Sequence, residues 1–190
     1  MAARAPLVWT NKSVLEFAEG RDPIAAIIHA ARTLALEAIQ SGWSGPPFDP
    51  LLLAEQLDLA LEPTNDVMDA RAVPFGTKGI RIEFNPNRPK GRLRFSIAHE
   101  VAHTLFPDCR QVVRNRAREG GQPDDWQLEL LCNIAAGEIL MPIGSPYSLD
   151  REPVRIENLL RLRREYGVSM EAILLRVAAL TPERCEPPRV

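Results

Sequence analysis

Apolar residues recur at helical spacing through RDPIAAIIHAARTLALEAIQSGW, where Ile24, Ile27, Ile28, Ala31, Leu34, Ala35, Ala38 and Ile39 share one face. Asp22 is placed as an N-cap. Pro23 takes the first helical position, where a missing N–H costs nothing. DPLLLAEQL repeats this Asp-Pro start at Asp49 and Pro50. The period then changes. In GIRIEFNPN, Ile80, Ile82 and Phe84 alternate with Arg81 and Glu83, the mark of a half-buried strand. DARAVPFG completes a hairpin with it, and Leu59 to Leu61 begin a further strand. NPNRPKG breaks the chain before a second helical run, RFSIAHEVAHTLF. A polar loop, PDCRQVVRNRAREGGQP, leads to a third run, DDWQLELLCNIAAGEILM, stopped by Pro142. VRIENLLRLRREYG and SMEAILLRVAAL predict two C-terminal helices, the last capped by Ser169. Helices, a small sheet of about three strands, then helices again predict an α+β fold. SGPPF reads as a linker, so residues 1–46 are a helical extension and residues 47–190 the main domain.

Composition narrows the function classes. A chain of 190 residues with 45% apolar and 25% charged residues has the make-up of a soluble globular domain. A net charge of −2 argues against a protein that binds nucleic acid directly. Cys109, Cys132 and Cys185 form no C-x-x-C pair and no disulfide framework, which points to a reducing cytoplasm. The N-terminus lacks the basic-then-apolar order of a signal peptide. IAAIIHAA is too short to span a bilayer, so no membrane partner is expected.

Of the three histidines in the chain, two lie in H-E-V-A-H, as His99 and His103 around Glu100. Residues four apart on a helix differ by about 40° around the axis and about 6 Å along it, so both imidazoles reach one ion. Glu100 is rotated by about 100° from His99. It flanks such an ion rather than ligating it, placed to take a proton from water there. Phe95, Ile97, Ala98, Val101, Ala102, Leu105 and Phe106 make the rest of this helix apolar all round, and therefore buried. Three titratable groups on a buried helix are costly without partners. A metal answers that cost, and so would ordinary hydrogen bonds in a core.

A catalytic zinc takes three protein ligands and leaves a position open. Four residues are candidates for the third. His29 falls among Arg32, Thr33, Glu37 and Gln40 on the polar face of its helix. Cys109 stands six residues after His103, the spacing of a metzincin third ligand, but Phe106-Pro107 replaces the glycine turn that pattern needs. Glu129 and Glu138 are about 900° apart on one helix, so only one can face the ion. Glu129 has Asn133 one turn on, able to orient a histidine from behind, whereas Glu138 has Pro142. Cys132 and Ala136 on the Glu129 side are small and permit close helix approach. Glu129 is the favoured ligand, with Cys109 as the alternative.

Assembled, these residues resemble the ImmA/IrrE family of zinc metallopeptidases, of H-E-x-x-H gluzincin-like type, from about Pro47 to the end. RFSIAHEVAHTLF is similar to the family's R-F-T-x-A-H-E-x-x-H core, and ELLCNIAAGEILMP to its E-x-E-A-N-x-F-A-x-x-L-L-M-P helix. FDPLLLAEQLDLAL is similar to the segment upstream, and YGVSMEAILLRV to the F-x-V-S-x-x-A-x-x-x-R-L segment downstream. The resemblance implies a mostly helical zincin-like domain, zinc (or manganese in vitro) held by His99, His103 and Glu129, and Glu100 as catalytic base. It also implies a protein substrate, a helix-turn-helix repressor whose cleavage relieves repression in a stress response or a mobile element. Leu131 stands where the family often has a second Glu, Cys132 where it has Ala, and Ile134 also departs from the pattern.

Two classes of function follow. One is a zinc endopeptidase. The other is a catalytically silent module that regulates by docking to a partner. For the first, Tyr147, Tyr166 and Arg94 are the possible donors to a developing oxyanion. The Ile80 to Phe84 strand reads as an ordinary core strand; were it a sheet edge beside the cleft, it would receive substrate backbone. Arg110, Arg114, Arg116 and Arg118 load the polar loop and read as a solvated run, as does RLRRE.

Overall fold

The computed structural model of the chain describes residues 7–76, 79–109, 123–143 and 154–180. Three helices come first, α1 (Lys12–Ala18), α2 (Pro23–Gln40) and α3 (Pro50–Gln56). Strands β1 (Ala60–Pro63), β2 (Ala70–Phe75) and β3 (Gly79–Phe84) follow. Then come α4 (Lys90–His103), α5 (Asp125–Leu140), α6 (Ile156–Tyr166) and α7 (Met170–Leu180). This is a mostly helical α+β fold.

The starts of α2 and α3 are built as their Asp-Pro pairs predict. Asp22 accepts from the Ala25 N–H at 2.8 Å, and Asp49 from the Leu51 N–H at 3.0 Å. Helix α1 has no counterpart in the pattern analysis. At seven residues it is two turns long, too short for periodicity to declare itself. It is held by tertiary contacts instead. Asn11 caps it, accepting from the Val14 N–H, and Val14 and Ala18 are buried. Gln127 of α5 is buried as well. Its Oε1 accepts from the backbone of Thr10 and Asn11 at 2.8 and 2.9 Å, and its Nε2 donates to the Val8 carbonyl.

The sheet order is β1-β3-β2, with β1 parallel and β2 antiparallel to β3. The strand from Ile80 to Phe84 is therefore central, the core strand of the two readings, and not the edge that substrate pairing would need. The period-2 pattern is the same for a central strand and an edge, so only the pairing decides. The strand that lies along α4 with an open side is β2.

Helix α4 packs on α5, and α5 packs on α2, in one core that runs from Val14 to Val177. Every residue from Ser96 to His103 is buried. Ala98, Ala102, Cys132, Ala135 and Ala136 bring small side chains to that core, which lets the two backbones approach closely. Gly167, in the left-handed region at φ 63°, ends α6 and turns the chain into α7. Among the described residues, no helix is long and apolar enough to cross a membrane.

Glu138 is the second deep tie. It is buried on α5 and accepts from Arg32 of α2 at 2.9 and 3.2 Å. It also accepts from both terminal nitrogens of Arg176 on α7, with Nη2 at 2.6 Å. Burial by itself would raise the Glu138 carboxyl, but the Arg176 and Arg32 guanidiniums outweigh it and hold the group below its ordinary range. A carboxyl whose folded pKa is lowered stabilises the fold fully above its unfolded pKa, and that stabilisation fades as pH falls toward the folded value. Glu138→Gln leaves Arg176 buried against a neutral amide, a loss of about 3 kcal/mol for a broken buried pair. Thermal melts at pH 7 should show Tm lower by roughly 6–12 °C for a chain of this size. The gap between wild type and Glu138→Gln should narrow as pH falls from 5 toward 3.

Candidate metal centre

His99 and His103 lie one turn apart on α4, with ring centroids 4.9 Å apart and planes nearly perpendicular. Both are buried, and both turn the same edge toward α5. There Glu129 meets them: its Oε2 is 3.0 Å from His99 Nε2, and its Oε1 is 3.4 Å from His103 Nε2. The two Nδ1 atoms are also met from α5. Asn133 Oδ1 is 3.1 Å from His99 Nδ1, and Cys132 Sγ is 3.3 Å from His103 Nδ1. Positions i, i+3 and i+4 of one helix face thus address both nitrogens of both rings.

This arrangement has an electrostatic consequence. Asn133 Oδ1 accepts, so His99 Nδ1 donates. In a neutral ring Nε2 is then an acceptor, facing the carboxylate of Glu129. Two acceptors at 3.0 Å call for a cation between them or a second proton on the ring. His103 Nε2 is buried and forms no hydrogen bond of good geometry among the described residues. Burial would raise the Glu129 carboxyl, yet the contacts with His103 and His99 hold it far below the usual carboxylate range. Two imidazole nitrogens and an ionised carboxylate converge on one point, and this donor set suits a divalent ion such as zinc. His99, His103 and Cys132 also form a group able to hold a metal. Glu129 completes the convergence from the Nε2 side, whereas Cys132 sits behind His103 on the Nδ1 side.

Glu100 is buried next to this cluster, and its Oε2 accepts from the Ala72 N–H of β2 at 2.8 Å. The sheet thus fixes the carboxylate that flanks the histidines.

The other candidates fall elsewhere. His29 is exposed on α2. Cys109 lies beyond the end of α4, in a small cluster with Ala72 and Ile80, where its thiol faces the Thr104 carbonyl. Glu138 is the structural carboxylate already described. Arg94 and Tyr166 are two of the three possible oxyanion donors. Arg94 donates to the Phe48 carbonyl at 2.6 Å, reaches the Tyr166 carbonyl at 3.5 Å, and joins α4 to the ends of α3 and α6. Five residues before His99, it points about 140° away around the helix. Tyr166 is buried in the core at the end of α6. Tyr147 and the arginines at 110, 114, 116 and 118 lie outside the described residues. The RLRRE run is solvated, with Arg163 and Arg164 exposed. The residue that pattern analysis undervalued is Cys132. Its i+3 spacing from Glu129 is plain in the sequence, but its place behind His103 follows only from how α5 faces α4.

A model of the peptidase M78 family, described as an IrrE N-terminal-like domain, matches residues 60–178, which include His99, Glu100, His103 and Glu129. No curated protein matches the chain significantly. Among solved structures, a Mycobacterium tuberculosis transcriptional regulator superposes with a TM-score of 0.52 at 17% identity. The alignment covers 86% of this chain and 48% of that one, so the chain spans about half the length of that protein. At this identity the likeness is one of fold.

The contacts behind the rings are testable apart from any activity. Asn133→Ala should weaken zinc binding by about 10-fold or more, measured by competition with a chelating dye. Cys132→Ala should weaken it in the same direction, and Cys132→Ser, which keeps a polar partner for His103, should do so less.

Proposed function

We infer the function from one premise: the chain belongs to the ImmA/IrrE family, a family of zincin-like peptidases. On that premise we propose a metal-dependent endopeptidase. The observation that carries the proposal is the convergence of His99 Nε2, His103 Nε2 and the Glu129 carboxylate beside a separately anchored Glu100.

His99, His103 and Glu129 would hold the ion, zinc by preference and manganese as a substitute. When bound, the ion supplies Lewis acidity, which polarises the scissile carbonyl and acidifies water. Glu100, held by the Ala72 N–H, takes a proton from the attacking water and delivers it to the leaving amine. Asn133 and Cys132 keep the two rings turned with Nε2 toward the centre. Of the three residues considered for the oxyanion, Tyr147 is the one retained.

The proposed substrate is a helix-turn-helix repressor, whose cleavage would relieve repression. Family resemblance supports this, as does the fold shared with a protein described as a transcriptional regulator. The proposed setting is the cytoplasm.

Two experiments test the reading. The zinc- or manganese-loaded chain, incubated with a helix-turn-helix protein encoded beside it, should cleave that protein. Glu100→Ala should be slower by about 100-fold or more, the usual worth of a general base. Equal cleavage by both would remove Glu100 from the chemistry. Cleavage by neither, with binding intact, would favour a docking module. In metal analysis of purified variants, Glu129→Ala should lose zinc and Cys109→Ala should retain it. The reverse would make Cys109 the ligand.

A further inference from the structure

Cys132 stands where the pattern of the family has alanine, and its thiol faces a histidine. Its Sγ lies 3.3 Å from His103 Nδ1, the ring nitrogen turned away from Glu129. One ligand atom from each of His99, His103 and Cys132 lies within 4.8 Å of the others, and all three residues are buried. The chain thus holds two donor sets that share both histidines. One ends in the Glu129 carboxylate and the other in a sulfur.

Spacing and chemistry say what the second set would take. A metal such as zinc sits about 2.0–2.1 Å from an imidazole nitrogen and about 2.3 Å from a sulfur. At a tetrahedral angle, two such donors stand about 3.6 Å apart. The 3.3 Å between Sγ and Nδ1 is close to this, and His99 is within reach as the third donor. Cys132 is carried by the interior of α5, between Glu129 and Asn133, which address the same two rings. Cys109 is the contrast. It is buried with Ala72 and Ile80, and its thiol faces the Thr104 carbonyl. Among the described residues, no group able to hold a metal includes it. Carboxylate donors suit hard ions, whereas thiolate donors select soft ones. Exchange of the carboxylate for the sulfur therefore changes which ion is preferred.

We propose that His99, His103 and Cys132 form a second coordination set, selective for a soft, thiophilic metal ion, and that such an ion displaces the hydrolytic metal. The displacement rests on the peptidase reading of the centre, whereas the thiolate set does not. As the sulfur–metal bond forms, the thiol releases its proton to solvent and no oxidation state changes. With both histidines taken, the centre beside Glu100 no longer holds the ion that hydrolysis needs. Soft ions thus switch the peptidase off through a residue of its own core.

Cadmium is the probe, because a thiolate–cadmium bond absorbs in the ultraviolet where a carboxylate–cadmium bond does not. The full-length Cys109→Ala/Cys185→Ala chain keeps Cys132 as its sole thiol. Titrated metal-free with cadmium chloride, it should develop that band and saturate at a single equivalent. Wild type should show the same band, and Cys132→Ser, which keeps the size of the side chain, should not. Cys132→Ser should also lose cadmium affinity relative to zinc by more than about 10-fold, with its melting temperature maintained. Native mass spectrometry of the zinc-loaded chain should show one cadmium in place of one zinc. No band in the wild-type and sole-thiol chains, or an unchanged cadmium-to-zinc preference in Cys132→Ser, overturns the thiolate set. A species that holds both ions overturns the displacement. Failure of cleavage in the earlier experiment leaves the cadmium band standing. Absence of the band leaves zinc binding through Glu129 and the cleavage result standing.

Discussion

The close approach of α4 and α5 is the constraint on which the rest depends. A helix face repeats at i, i+3 and i+4, and the α5 face spends all three positions on the two histidines. Glu129 takes the Nε2 side of both rings, Cys132 and Asn133 the Nδ1 sides. Small side chains on both helices permit the approach. Large ones would separate the rings from the carboxylate and leave buried imidazoles unmet. The contact also requires deep burial, and burial makes each polar partner count.

The other elements hold that contact in place and shape access to it. The sheet docks on α4 and sends one backbone N–H to Glu100, so the flanking carboxylate is held from outside its own helix. Helix α2 packs along α5 and reaches Glu138, and α7 reaches the same carboxylate from another side. The ties from the N-terminal segment to α5, Arg32 to Glu138 and Thr10 to Gln127, each cross more than one hundred residues. They explain why an N-terminal stretch that lies before the matched family region shares a core with it.

Much of the helical framework was legible because helix α2 is long enough to show its period, and because Asp-Pro pairs mark the starts of α2 and α3 and Ser169 that of α7. The β2–β3 hairpin was legible from alternation. Helix α1 was not, because two turns carry too little pattern. The rank of β3 within the sheet was not, because alternation reports burial of a face and says nothing of which neighbours pair. Arg94 and Tyr166 illustrate the same limit for chemistry. Both residue types suit an oxyanion, yet Arg94 is engaged with the Phe48 carbonyl and Tyr166 is buried in the core.

By itself the sequence determined the spacing of His99, Glu100 and His103, the amphipathic helices, and the single face shared by Glu129 and Asn133. These are local properties, set by 3.6 residues per turn and by side-chain chemistry within a few residues. Tertiary structure alone decided that Glu129 meets the histidines while Cys109 does not, that Cys132 stands behind His103, and that Arg32 and Arg176 share Glu138. Such choices depend on which helix faces which, and helix packing is fixed by long-range burial that no local spacing records.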